Sequence, residues 1–445
     1  MTTIPQVSRA MQHVLTTAAQ SADTKLHYTK RPDQAKFSAS TLVQTLVLGW
    51  LAHPDATVEQ LSQSAARVGV DVTAQAIDQR FTLATAALLQ QVLSASLQHL
   101  IASDGLSIPI LQRFTGVRIH DSTTIVLPDA LAELWAGCGG STTTHTASAL
   151  KCGVQLDLLT GALSGLDLAD GRASDQRLGV QQAPLPKGSL RLADLGFYDL
   201  GVLGSLSAAE VYWLSKLEPT ALISDATHSN CPLLAFVTSL GDLAQWEGQV
   251  WVGRGRRLRA RLMVKRVPQE VADQRRRRIR KSARDKGHNP SAVALALAAW
   301  RILITNIPAE MVSLEEALIV VKVRWQIELL FKLWKSQGRV DRWRTEKAAR
   351  IMCEVYAKLL ALVLQQWVLA VSCWMYPDRS LVKAAQVVRD HAVELASSRA
   401  RPERLEEVLE TIQRVLKRTA RMNTRLKHPN TYQLVLALTT TDEEA

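Results

Sequence analysis

The chain has 445 residues, 47% apolar and 21% charged, a globular balance that excludes wholesale disorder and a length that suggests roughly two to four modules. Its five cysteines (Cys138, Cys152, Cys231, Cys353, Cys373) are too scattered for a disulfide framework and lack metal-binding spacing, which favours a reducing compartment and no zinc. Between residues 251 and 290 there are 15 Lys+Arg against 3 Asp+Glu, a local excess that equals the whole net charge of +12, so the positive field is concentrated and calls for a polyanion, nucleic acid first, unless the run is a solvated loop.

No basic segment followed by an apolar run opens the chain, so no secretory signal is expected. Residues 1 to about 105 read as helical, with Leu42, Val43, Leu46, Val47, Trp50 and Leu51 at helical spacing. After the His53-Pro54-Asp55 break, Thr57 and Gln60 stand at capping-box spacing, and a glycine turn at 69–73 leads into 74–81. These two short helices read either as a helix-turn-helix for DNA ends or as plain packing. From Thr115 the period becomes two. Strands are expected at 117–121, 153–158, 162–168 (after the Thr160-Gly161 turn), 189–194 and 210–214, with a helix at 198–206, which together make a mixed α/β sheet. Residues 218–300 interrupt it with strand-like pieces at 233–239, 249–252 and 261–267 and the basic run 275–286, and 300–305 is a further apolar strand. A long helix is expected over 313–336, amphipathic helices after it, and a polar tail from Thr439. The most apolar stretch, 356–374, contains Lys358, Gln365 and Gln366, too polar for a comfortable bilayer span, so no membrane partner is expected.

Asp121 stands at the end of the first expected strand and Asp194 at the end of the fourth, where neighbouring strands of an α/β sheet gather their chemistry at one rim. Two close carboxylates call for a cation, and hard oxygen ligands suit Mg²⁺ or Mn²⁺. Taken singly, each aspartate reads rather as a cap for the segment that follows it, Asp121 as an Asx-turn and Asp194 as a helix cap. On the helix over 313–336, Val320, Val323, Ile327, Leu330 and Trp334 form an apolar face, while Arg324, Glu328, Lys332 and Lys335 share a second one. One carboxylate among three cations suits a metal site that also grips phosphate, or else a surface ladder of salt bridges.

The segment from Arg324 to Lys335 resembles the Y-x2-R-x3-E-x6-K signature of DDE transposases of the insertion sequence four family. The Asp121-Ser122-Thr123-Thr124 element, the segment from Ala193 to Asp199 and the segment from Trp300 to Asn306 resemble the same family in the expected order. This resemblance covers about residues 110 to 345. It implies a ribonuclease H-like mixed sheet core, at 109–217 and 300–345, with a β-rich basic insertion at 218–299. The core would be flanked by an N-terminal helical DNA-binding domain (1–108) and a C-terminal helical domain (346–445). Asp121, Asp194 and Glu328 would be the catalytic, metal-binding triad. Arg324 and Lys335 match phosphate-contacting positions, with Lys332 as a helper. Trp300 matches the tryptophan that stacks on a flipped base in hairpin-forming members, or is a buried strand-end aromatic. Arg275, Arg276, Arg277 and Arg278 are expected to contact DNA. Val321 stands at the signature's tyrosine position, and its side chain has no hydroxyl to donate to phosphate.

The implied function is cut-and-paste transposition by two-metal phosphoryl transfer (two Mg²⁺, with Mn²⁺ as the alternative), with a hairpin intermediate. The implied partners are terminal inverted repeats and target DNA, bound by a homodimer on paired ends in the bacterial cytoplasm, associated with the nucleoid when on DNA. The helices around 356–374 would serve either that dimer or the core, and the core is preferred. Two other readings compete with an active transposase: an inactive DNA-binding regulator derived from one, and a metal nuclease that cuts without rejoining.

Overall fold

The structure is a computed structural model that describes residues 2–30, 37–138, 146–285, 287–398, 401–423 and 433–434. The expected polar tail from Thr439 lies outside the described residues. Ten strands are found among the described residues: β1 Val117–Leu127, β2 Ser148–Asp157, β3 Leu163–Asp170, β4 Leu190–Ala193, β5 Tyr212–Lys216, β6 Leu222–Ser224, β7 Cys231–Pro232, β8 Gln245–Val252, β9 Leu258–Arg266 and β10 Trp300–Thr305. They form one sheet in the order β3-β2-β1-β4-β5-β10-β9-β8-β6-β7. The first three are an antiparallel meander, and β4 and β5 continue from β1 in parallel. That arrangement is the ribonuclease H-like core. The strands of segment 218–299 continue the same sheet, because β10 pairs antiparallel with both β5 and β9.

Three local expectations are corrected. The first strand does not end at Asp121. Its β-branched continuation through Thr123, Thr124, Ile125 and Val126 pairs with β2 as far as Leu127, and only the parallel ladder to β4 stops, at His120 opposite Ala193. Residues Leu233–Ser239 are a helix, not a strand. Leu233, Phe236 and Val237 turn inward at helical spacing, and a short apolar run does not reveal which period it will take until its partners are in place. The long helix is two helices, Leu314–Val323 and Gln326–Ser336, broken at 324–325. Trp325, Ile327 and Glu328 there donate their backbone N–H to the carbonyl three residues back (3.1–3.2 Å), so the chain tightens without leaving helical angles. The apolar face survives the break: Val320, Val323, Ile327, Leu330 and Trp334 are all buried.

The helices before and after the sheet share one core. The helix Ala348–Cys373 runs through its middle against Ala39–Ala52, Leu83–Ser96 and Pro402–Arg418. It is long and apolar enough to cross a membrane, but its most apolar stretch is wholly covered by protein, so 356–374 is core. The capping box of Val58–Arg67 forms as expected, with Thr57 N–H on Gln60 Oε1 (2.9 Å) and Gln60 N–H on Thr57 Oγ1 (3.2 Å). After the turn at Gly69, the second helix of the pair is only Ala74–Asp78.

The β2–β3 turn expected at Thr160-Gly161 docks on the long core helix. Gln366 Nε2 donates to Gly161 O (2.8 Å) and Trp374 Nε1 to Leu158 O (2.7 Å). Gly161 has φ +71°, and a Cβ there would lie 2.5 Å from the Trp374 ring. Gly161→Ala is therefore expected to cost roughly 2–4 kcal/mol, backbone strain plus overpacking. Gly69→Ala, at φ +82° in open space, should cost only about 1–2 kcal/mol. Urea unfolding of the two variants checks the order; equal losses would mean that the Trp374 contact adds nothing.

Candidate active site

Since His120 pairs with Ala193, the next residue of each chain segment, Asp121 and Asp194, lies at the same level where the parallel ladder ends. That is the switch point of the sheet, with β1 leading on to β2 on one side and β4 to β5 on the other, the place where α/β sheets form a crevice. The broken helix brings Arg324 and Glu328 to it. Arg324 Nη1 donates to Asp121 Oδ2 at 2.6 Å, and Nη2 reaches Glu328 Oε1 at 2.6 Å and Asp194 Oδ1 at 3.6 Å. One guanidinium thus gathers three carboxylates that are far apart along the chain. Asp121 is the enclosed member, at 14% side-chain exposure, whereas Asp194 and Glu328 stay near half open, at 45% and 42%.

Burial pushes the Asp121 carboxyl up to about 6. Arg324 and the Ser122 N–H, which donates to Oδ1 at 2.8 Å, pull it down, and the Asp194 and Glu328 charges raise it again. A carboxyl so placed favours whichever cation neutralises it. Three hard oxygen donors suit a divalent ion of the Mg²⁺ type. Among the described residues, however, no three His, Cys, Asp or Glu side chains already stand as a cage for one ion. The donors match the metal in chemistry, and each is turned to the guanidinium.

The other residues singled out in the sequence divide. Lys335 Nζ donates to Thr124 O on β1 (2.9 Å), which ties the Glu328 helix to the strand that carries Asp121. Lys332 is exposed on the same helix. Val321 is half-buried against the core. Trp300 is half-buried at the start of β10; since Leu303 pairs with Lys216, it stands three residues further toward the rim that holds the triad. The Arg266 guanidinium lies over its ring at 4.5 Å.

The basic run lies on the helix Gln269–Asp285 and is split by it. Arg275 donates to Trp300 O (2.9 Å) and Arg276 to Leu295 O (3.2 Å), with Arg276 also paired to Asp273 at 2.8 Å. Both brace the insertion. Arg277, Arg278, Arg280, Lys281 and Arg284 are exposed. Changing these five to Gln is expected to flatten the salt dependence of DNA affinity, by roughly 0.9 in log–log slope for each lost phosphate contact. Arg275→Gln should instead lower stability and leave the slope nearly unchanged. A five-fold variant with the wild-type slope would show the exposed face to be idle.

Sequence reasoning missed the scaffold around the crevice. Asp175 Oδ1 accepts from Ser122 Oγ (2.7 Å) and Lys151 Nζ (3.0 Å), and its other oxygen leaves no room for a Cβ on Gly196. It links β1, β2 and the turn that carries Asp194, and the glycine after Asp194-Leu195 was the available signal. Buried Arg191 on β4 donates to His120 Nδ1 (3.2 Å) and to Gln181, whose amide holds Phe197 O at 3.0 Å. An arginine between two leucines in a short strand was its only mark.

Comparisons with known proteins place the chain in a family. A family profile described as Transposase DDE domain matches residues 112–364, more than half of the chain. The transposase for insertion sequence element IS231E of Bacillus thuringiensis subsp. finitimus is 26% identical, over 85% of this chain and 84% of that protein. The transposase for insertion sequence element IS231F of Bacillus thuringiensis subsp. israelensis is 24% identical over 92% and 90%. That for IS1151 of Clostridium perfringens is 23% identical over 72% of each. Among solved structures, the piggyBac transposase synaptic complex with hairpin DNA aligns with a TM-score of 0.47 and 8% identity, over 95% of this chain and 85% of that one.

Proposed function

The chain belongs to the DDE transposases of insertion sequences, enzymes that cut and join DNA, and from that premise we propose that it moves its element by cut-and-paste phosphoryl transfer at Asp121, Asp194 and Glu328. The observation that carries the reading is the convergence of these three carboxylates on one guanidinium at the crevice beside β4. Two divalent ions, Mg²⁺ with Mn²⁺ as the alternative, would there lower the pKa of the attacking hydroxyl and neutralise charge on the phosphate. Asp121, Asp194 and Glu328 would hold them from three separate elements. Arg324 and Lys332, together with Lys335 once it is drawn from Thr124, grip phosphate oxygens and keep attacking and leaving oxygens in line. Water attacks the phosphodiester at the element's end and frees a 3′-OH. That hydroxyl attacks the opposite strand, which closes a hairpin and releases the flanking DNA. A second water opens the hairpin, and the restored 3′-OH attacks target DNA. A homodimer on paired terminal repeats, acting on DNA in the bacterial cytoplasm, belongs to the same reading.

Incubation with Mg²⁺, a labelled terminal-repeat duplex and a target plasmid tests it. A cut end followed by strand transfer is expected. No cut would favour the DNA-binding regulator, and a cut without transfer the nuclease. For the hairpin step, Trp300→Ala should slow hairpin closure more than first nicking, since stacking on a flipped base is worth about 1–3 kcal/mol. Equal losses at the two steps would leave Trp300 a support for the Arg266 side chain and β10.

A further inference from the structure

We infer that Arg324 is a resident counter-cation, which holds the three carboxylates together before DNA arrives and must be drawn off by a phosphate before a divalent ion is bound, so that end binding loads the metal. The inference rests on the metal-binding reading above and adds an order of events to it.

A planar fork of five donors is the side chain able to serve carboxylates on several sides at once, and Nη2 is shared between Asp194 and Glu328 while Nη1 serves Asp121. Those acids come from β1, from the turn after β4 and from the helix Gln326–Ser336, so the guanidinium spans all three elements. A divalent ion on the same oxygens meets the guanidinium as a like charge at close range, and the two exclude each other. Arg324 has somewhere to go. It is itself 13% exposed, but the two carboxylates on its Nη2 side stand nearly half open to solvent, the side from which DNA can approach. A phosphate offers it a bidentate partner of equal charge type, and exposed Lys332 on the same helix helps to draw that phosphate in. Arginine leaving the carboxylates and metal joining them are then one exchange. By linkage, DNA raises metal affinity by the same factor as metal raises DNA affinity.

The test is titration of the full chain with Mn²⁺, free ion read by electron paramagnetic resonance, with and without a pre-cut duplex end that leaves no strand to hydrolyse. Without DNA, Arg324→Met is expected to bind Mn²⁺ about tenfold more tightly than wild type. Arg324→Lys, which keeps the charge but loses the fork, should fall between them. Lys335→Met removes a charge from the same helix without touching the carboxylates and should gain less than about threefold. The gain on adding DNA should be at least about fivefold larger in wild type than in Arg324→Met. An Arg324→Met affinity equal to wild type, or a Lys335→Met gain as large as that of Arg324→Met, overturns the inference. So does a wild-type affinity that DNA leaves unchanged, a result that needs no variant to fold. Glu328→Gln and Asp121→Asn are expected to lose Mn²⁺ binding throughout; if they bind as wild type does, the triad itself is refuted as the metal site, a separate failure.

Discussion

Asp121→Asn, Asp194→Asn and Glu328→Gln are each expected to lower strand cleavage by about three orders of magnitude or more, a loss on the order of 4 kcal/mol of transition-state stabilisation, while DNA-end binding measured without divalent ions stays near wild type. The amides keep the shape of each side chain and remove one negative charge from the crevice. Asp121→Asn should be the most severe, because that carboxyl is the enclosed one and nothing from solvent can take its place. End binding is expected to rest elsewhere, on exposed cations such as those on the helix Gln269–Asp285, so a gel-shift assay beside the cleavage assay separates the two effects. Cleavage at more than a tenth of the wild-type rate by any of the three variants contradicts the assignment of that residue.

Lys358→Met is expected to cost about 3–5 kcal/mol of stability in urea unfolding. Lys358 and Glu354 face each other at 2.8 Å inside the long core helix, with 2% and 5% side-chain exposure. Burial pulls the ammonium below and pushes the carboxyl above their usual ranges, and each offsets the other's penalty. Lys358 also donates to Arg339 O (2.9 Å) and Arg342 O (2.7 Å), the segment directly after the helix that carries Glu328 and Lys335. Methionine fills the volume but leaves a buried charge and two carbonyls without that partner. Glu354→Leu combined with Lys358→Met should recover more than half of the loss, because the stranded charge is the larger part of it. A single variant within about 1 kcal/mol of wild type would show that water or a rearranged segment already serves those groups.

Much of the framework is legible along the chain, since it is written in short-range terms. Alternation marks β1 to β4, and the Thr160-Gly161 turn sets the β2–β3 hairpin. The Thr57–Gln60 pair opens its helix, and the stripe from Val320 to Trp334 finds the core even across a break in the helix. The grouping of Asp121, Asp194 and Glu328 was legible only through the ordered motifs that resemble a family. Spacing along one strand or helix cannot say which distant acids meet.

The residue types and their periods placed a mixed sheet and a concentrated basic run in this protein, because each depends on neighbours a few positions away. Packing between remote segments settled the rest. It carried β1 past Asp121 by pairing it with β2, curled 233–239 into a helix against its own cluster, and turned Arg275 and Arg276 inward while their neighbours face solvent. It also set Arg324 among three carboxylates, an arrangement that depends on the β1–β4 register and the break at 324–325 together. Coulomb attraction and desolvation act through space, so which cation answers which anion is decided only when the segments that carry them are folded side by side.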